Sequence, residues 1–359
     1  MRLGIIGLPN CGKTTLFNAL TRGNLPTSPV SSGQFEVNTA VVEVPDPRLD
    51  VLTAMYQSKK TVRATITYTD IGGLDKGIGT GGLSGPFRNA LQQVDGFVHV
   101  LRAFRSDAVP HPLGSVDPQR DLEVIDGEFL LLDLVGVENR LEKLQHELRV
   151  KGKRADQALI DQLPLMEKLK AQLDQGQPLR NLELSEEEVK QIGGFGFLTI
   201  KPVLIVINLG DEVREEDCQV RYNYRHAQHV AIQAALEAEL AQLSPEDAAV
   251  FMEEYGVKEL SAQKVIRLSY HLLNIHSFLT AGEKETRAWT IPVGASAWQA
   301  AGAIHSDIQQ GFIRAEVIAY HDLVEAGSEK AAKAAGKYRL ESKDYVVQDG
   351  DVIVFRHSG

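Results

Sequence analysis

Apolar residues follow two rhythms along this chain. Short unbroken runs at Leu3-Gly4-Ile5-Ile6 and Val203-Leu204-Ile205-Val206-Ile207 are of the kind buried on both faces of a parallel sheet. By contrast, Leu130, Leu134, Val137, Leu141, Leu144 and Leu148 recur at alternating three- and four-residue intervals, the seam of a coiled coil. Asp117-Pro118 opens that pattern, Lys151-Gly152-Lys153-Arg154 interrupts it, and Leu159, Leu163, Met166, Leu169 and Leu173 resume it. Two stripes joined by a polar turn predict an antiparallel helical hairpin. Thr61 to Thr69 alternates like a single strand and is rich in β-branched residues. Helical spacing returns around Phe251, Val257, Val265 and Leu272. Beyond Thr286, short strands and a helix alternate, and Tyr345 to Phe355 reads as a hairpin turning on Asp349-Gly350. The expected class is α/β: a doubly wound sheet interrupted by a helical arm and followed by a small β-rich domain.

Composition narrows this picture. At 359 residues, the chain exceeds what one core usually supports. Its 43% hydrophobic and 24% charged residues exclude wholesale disorder. The net charge of −10 removes any global basic field, so contact with nucleic acid must come from a local patch. No apolar run approaches the ~20 residues that cross a bilayer, and the amino terminus lacks a signal-peptide pattern, so a cytoplasmic protein without membrane attachment is expected. Cys11 and Cys218 are the only cysteines, too few for a disulfide framework. His226 and His229 lie one helical turn apart with no third ligand nearby in sequence, and a solvated helix face accounts for them better than zinc does.

The chemistry begins at the amino terminus. Gly7-Leu8-Pro9-Asn10-Cys11-Gly12-Lys13-Thr14 matches G-x-x-x-x-G-K-[ST], preceded by a strand and followed by a helix. Glycines let the backbone curl so that successive amides face an anion, and the helix adds its positive end. In such a loop the amides of Asn10 to Thr15 cradle phosphates, Lys13 reaches the β- and γ-phosphates, and the Thr14 hydroxyl ligates Mg²⁺. Cys11 is best read as a small filler, with no resolving thiol nearby. The strand from Thr61 delivers Asp70-Ile71-Gly72-Gly73, a D-x-x-G in which Asp70 holds Mg²⁺ through water and the Gly73 amide meets the γ-phosphate. Leu74 follows, where Ras-like GTPases carry a glutamine that orients water, so unaided hydrolysis should be slow. The glycine-rich Gly77 to Gly82 reads equally as a switch segment or a plain flexible loop. Asn208-Leu209-Gly210-Asp211 stands where GTPases place N-K-x-D. Leu209 keeps the aliphatic stacking of the lysine but not its charge, and Asp211 is the candidate base reader.

Together with Pro45-Asp46-Pro47-Arg48-Leu49-Asp50, Leu182-Glu183-Leu184-Ser185-Glu186-Glu187-Glu188 and Tyr338-Arg339-Leu340 to Gly350-Asp351, these motifs resemble the Obg-like ATPase (YchF) family along the whole chain. The resemblance implies a P-loop GTPase-like domain at 1–116 and 186–282, a coiled-coil arm at 117–185 and a β-grasp TGS domain at 283–359. It also implies ATP accepted as well as or better than GTP, and ribosomes as partner. Asn10 matches a loop asparagine that helps hold K⁺, and His111 matches a histidine proposed as catalytic. Gln34 falls where members carry an Mg²⁺-ligating threonine, with Ser31 or Ser32 as substitutes. Members end the base motif in glutamate, whereas Asp211 stands here beside Glu212, and Gln233-Ala234-Ala235 replaces S-A-K. These departures leave ATP only modestly preferred over GTP. Arg140, Lys143, Arg149, Lys151, Lys153 and Arg154 gather at the arm tip, suited to RNA phosphates. Lys330, Lys333, Lys337, Arg339 and Lys343 form a second basic strip that a solvated face explains equally well. A monomer is expected. The alternatives are a nucleotide-binding adaptor with little hydrolysis, or a GTP-specific GTPase.

Overall fold

The computed structural model describes residues 1–26, 37–72, 85–154, 156–214, 216, 218–254 and 260–358. In chain order the first half contains β1 (Arg2–Ile6), α1 (Lys13–Thr21), β2 (Val37–Glu43), α2 (Pro47–Tyr56), β3 (Thr61–Val62), β4 (Thr65–Ile71), α3 (Gly85–Gln92), β5 (Gly96–Ala103) and α4 (Pro118–Lys151). Then come α5 (Gln157–Asp174), α6 (Glu186–Ile192), β6 (Val203–Leu209), β7 (Ala227–Ile232), α7 (Ala234–Leu240), α8 (Pro245–Glu254) and α9 (Ser261–Leu272). The rest is β8 (Ile275–Ala281), β9 (Thr286–Pro292), α10 (Ala297–Ile304), α11 (Ser306–Gln310), β10 (Phe312–Ala319), α12 (Tyr320–Ala326), α13 (Glu329–Ala334), β11 (Arg339–Glu341) and β12 (Asp351–His357).

Two compact units emerge, 1–41 with 67–265, and 42–66 with 266–359. The first holds a sheet of order β2-β4-β1-β5-β6-β7, in which β1 pairs parallel with β4 and β5, β5 with β6, and β6 with β7. Central strands β5 and β6 are buried almost throughout, as their apolar runs require. Phe97, Leu101, Ile205 and Ile207 meet Phe87, Leu122, Ile125 and Phe129 in one core.

The arm follows its seam. Asp117 caps α4 by accepting from Arg120 N, and Pro118 occupies the first turn. Val137, Leu141 and Leu144 pack on Leu165, Met166 and Leu169, and Gly152, at φ 50°, ends the 34-residue α4. Arg140 donates to Gln162 across the hairpin at 2.6 and 2.8 Å, so it braces the arm rather than its surface. Lys151 pairs with Asp156 at 2.8 Å, while Lys143, Arg149 and Arg154 are exposed without an ion-pair partner among the described residues.

Two sequence expectations change. The single strand from Thr61 to Thr69 is two: Thr61–Val62 joins β9 in the second sheet, and Thr65–Ile71 joins β1 in the first. Alternation reports exposure on two faces and carries no information about which sheet a strand enters. The expected hairpin at Tyr345 to Phe355 is likewise absent. Val346 makes only an isolated bridge to Ser296, and β12 pairs with β10 and β8. The Asp-Gly turn is spent elsewhere: Asp349 Oδ1 accepts from Ser277 N at 3.2 Å, Gly350 N donates to Ser277 O at 2.9 Å, and Asp351 Oδ2 accepts from Gln348 N at 2.9 Å.

The second unit contains the sheet β11-β10-β12-β8-β9-β3. Its segment 42–66 is bolted in by Arg48, which grips Asp46 at 2.9 Å and Asp349 at 2.8 Å. The Pro-Asp-Pro-Arg motif thus forms an ion-pair clamp, with Asp46 also capping α2.

Beneath the first sheet lies a buried polar group. Arg180 donates to Tyr222, whose hydroxyl donates to Asp126 Oδ1 at 2.7 Å, joining the base of α4 to the chain returning from α5. His99 on β5 faces the same cavity of about 10 Å³, and its Nε2 has no partner among the described residues. Burial, helped by the charges of Lys13 and Arg180, pushes the His99 pKa down to about 3 from 6.5. Unfolded His99 takes up a proton below about pH 6.5 while the folded one stays neutral. Stability is therefore complete above that pH and falls as the solution is acidified toward pH 3, by up to ~1.4 kcal/mol per unit. Urea unfolding of His99→Leu is expected to depend less steeply on pH between 6.5 and 4 than that of the unmutated protein.

Candidate functional site

The Gly7–Gly12 loop joins β1 to α1 and can be built only from glycine at its two ends. At Gly7 a Cβ would stand 2.5 Å from Val100 O and 2.6 Å from Cys11 Sγ, and at Gly12 (φ 98°) it would collide with Asn208 Nδ2. Inside the loop Cys11 N donates to Leu8 O at 3.4 Å, and the loop's carbonyls need further donors. Each of four carbonyls receives one from a side chain. Lys13 Nζ donates to Gly7 O at 3.0 Å and Leu8 O at 2.9 Å. Arg102 donates to Asn10 O at 3.4 Å, and Asn208 Nδ2 to Cys11 O at 3.0 Å.

Around this loop the sequence-expected residues converge in part. Thr14 Oγ1 donates to Asp70 Oδ2 at 2.8 Å, although 56 residues separate them. A hydroxyl and a carboxylate side by side are the protein's usual share of an Mg²⁺ shell completed by water and phosphate oxygens, so the residues present fit that ion. Among the described residues no group of three His, Cys, Asp or Glu could hold a metal by itself. Lys13 has only neutral acceptors among the described residues, an ammonium ready for an anionic one. Cys11 is buried, and burial pushes its thiol pKa up, which leaves it unreactive at neutral pH. Thr15 follows Thr14 in the first turn of α1.

On the far side, β6 ends at the expected base motif. Asn208 is 4% exposed, and its Oδ1 accepts from Ala234 N at 3.1 Å, so both ends of its amide serve as a brace between the phosphate loop and the 233–235 loop. Leu209 is half-buried and Asp211 exposed. Gln233 Nε2 donates to Gly210 O at 3.4 Å. Gln34, Ser31, Ser32, Gly73, Leu74 and the 77–82 stretch lie outside the described residues.

His111 is no surface residue. Its side chain is 4% exposed, its Nδ1 accepts from Leu113 N at 3.1 Å, and its Nε2 lies 2.8 Å from Asp121 Oδ2 in α4. Because Nδ1 accepts, the proton sits on Nε2 and is donated to Asp121. Arg120 grips the other oxygen, Asp121 Oδ1, at 2.8 Å. The same loop touches the phosphate loop, since Asn10 Nδ2 donates to Pro110 O at 3.4 Å.

Reasoning from sequence missed Arg102. It is 1% exposed, and besides Asn10 O it donates to Val109 O at 2.7 Å and Phe104 O at 3.1 Å. The available signal was a charged residue inside Phe97-Val98-His99-Val100-Leu101-Arg102-Ala103, a strand apolar but for His99.

A sheet with five parallel strands carrying this loop, lysine, hydroxyl and carboxylate defines a P-loop NTPase. Residues 2–123 match the family model described as a 50S ribosome-binding GTPase, and residues 275–358 match that of YchF-GTPase_C, a protein of unknown function (DUF933). The chain is 42% identical to the ribosome-binding ATPase YchF of Escherichia coli O157:H7, covering 99% of this chain and 98% of that protein. It is 41% identical to its Bacillus subtilis namesake, with 98% of each covered. The solved structure of the Schizosaccharomyces pombe YchF GTPase superposes with a TM-score of 0.83 at 33% identity, covering 99% of this chain and 97% of that one. The chain belongs to the YchF family.

Gly12→Ala is expected to cost about 1–3 kcal/mol of stability, because a left-handed backbone and a collision with Asn208 are imposed together. A lowered urea midpoint, with weaker nucleotide binding in calorimetry, checks this.

Proposed function

We propose that the protein hydrolyses the β–γ bond of a nucleoside triphosphate, ATP modestly before GTP, as a slow conformational switch that docks on ribosomes. The observation that carries this is the meeting of Thr14 with Asp70 beside Lys13, directly after the Gly7–Gly12 loop. Mg²⁺, when bound, neutralises charge on the β- and γ-phosphates. The loop amides from Asn10 to Thr15 and the Lys13 ammonium bind and orient the triphosphate, and Thr14 and Asp70 hold the ion. Gln34 and the Gly73 amide complete the shell and the γ-phosphate contact, and Asn10 Oδ1 supplies an oxygen for K⁺.

Base selection falls to Leu209, Asp211 and the Gln233 loop, since both ends of the Asn208 amide are already engaged. Relatives named ATPases support ATP, while Asp211 in place of glutamate moderates the preference. His111 orients or deprotonates the attacking water after leaving Asp121. That prior engagement, together with Leu74, supports slow turnover, and it equally favours the second reading, a binding adaptor that scarcely hydrolyses. Nucleotide work falls to 1–116 and 186–282, docking to the arm at 117–185 and the TGS tail at 283–359, in a cytoplasmic monomer. Segment 42–66 belongs to the same compact unit as the tail. Among the described residues, no helix is long and apolar enough to cross a membrane.

Phosphate release should be measurable above that of Lys13→Ala, and equal rates would leave the adaptor reading. Calorimetric titration is expected to give the tighter constant for ATP; a tighter one for GTP makes the protein a GTPase. Charge reversal at Lys143, Arg149 and Arg154 should weaken co-sedimentation with ribosomes, and unchanged sedimentation removes the arm tip from the interface.

A further inference from the structure

We propose that Arg102 is a positioning residue that ties the phosphate loop to the His111 loop and thereby sets where the imidazole stands during hydrolysis. This rests on the hydrolytic reading above.

Arg102 stands near the end of β5, in register with Asn208 on β6. Its guanidinium lies 4.4 Å over the Phe104 ring and has no carboxylate partner among the described residues. Burying an ion whose hydrogen-bond partners are all neutral is costly, a cost that the nearby Asp121 charge offsets only in part, and an apolar side chain would fill the same strand position without it. The compensation comes from three backbone carbonyls: Phe104 O on Nε, Asn10 O and Val109 O on the two terminal nitrogens. A guanidinium is rigid and planar, so its acceptors cannot move independently. One belongs to the phosphate loop and one lies two residues before His111, so displacing either loop disturbs the other. Asn10 Nδ2 to Pro110 O is a parallel tie between the same two segments.

The bond to Asn10 acts on the phosphate loop as well. Asn10 holds φ at 60°, a left-handed conformation that needs support. Arg102 does not act as a finger on the reacting phosphate, because its side chain is buried and committed to the carbonyl side of the loop. A lysine would keep the charge but not the fork, so it cannot span all three acceptors.

The test compares Arg102→Met and Arg102→Lys in the full chain, each with and without His111→Ala. Single-turnover ATP hydrolysis, ATP affinity and thermal midpoint are measured for all. Either Arg102 variant alone should slow turnover by roughly tenfold to a hundredfold, with ATP affinity changed far less. Added to His111→Ala, it should cause no further slowing, because the group it positions is already gone. If the slowing is the same in both backgrounds, or affinity falls as much as rate, Arg102 is only structural and the proposal is overturned. If His111→Ala alone hydrolyses at the full rate, the role of His111 fails first and the proposal falls with it. Should the methionine variant not fold, the lysine variant carries the same comparison, with faster hydrogen exchange expected across residues 105–113 and unchanged exchange counting against the tie.

Discussion

A loop that presents its amides to an anion must find donors for its carbonyls elsewhere, and most of this site follows from that requirement. Lys13 serves Gly7 and Leu8, Arg102 serves Asn10, and Asn208 serves Cys11. Two of the donors are themselves held by another part of the first unit: Asn208 by the amide of Ala234, and Arg102 by Val109 and Phe104. Lys13 alone comes from the loop's own helix. The phosphate loop is therefore shaped from outside as much as by its glycines, and every segment that touches a carbonyl is in a position to respond to what the amides bind.

The same logic of buried polar groups joins the arm to the sheet. Asp133 in α4 accepts from Leu198 N at 2.9 Å and from Thr199 N at 2.7 Å, and Asp126 meets Tyr222 and Arg180. Burial raises the pKa of both carboxyls, so these links cost desolvation and are repaid by geometry. His111 on Asp121 adds a third contact to α4, one turn from its start. The arm's base is thus tied to the first unit by hydrogen bonds with defined directions, whereas along its length it relies on a leucine seam. In the second unit the Arg48 clamp plays an equivalent part, fastening 42–66 by two carboxylates placed 303 residues apart in the sequence, Asp46 and Asp349.

Features built from neighbouring residues were legible before any coordinates. The phosphate loop, the capped start of α4, its leucine seam and the buried strand leading to Asn208 each depend on short-range spacing, and all were read at the right place. The link between Thr14 and Asp70 was also accessible, because each ends or begins an element of recognisable type. Strand partners were not. Nothing in Thr61 to Thr69 says that its two ends enter different sheets, and nothing in Asp349-Gly350 says that its polar groups are claimed by Ser277.

By itself, the sequence determined which loops, strands and helices hold the candidate residues, because glycine conformations, apolar periodicity and capping are properties of adjacent residues. Tertiary structure alone decided what those residues do to one another: that both ends of the Asn208 amide are engaged, by Cys11 O and Ala234 N, that His111 rests on Asp121, and that Arg102 is a buried cation shared between two loops. The reason is that a side chain's protonation, burial and hydrogen-bond partners depend on groups distant in sequence, and these meet only when the sheet assembles.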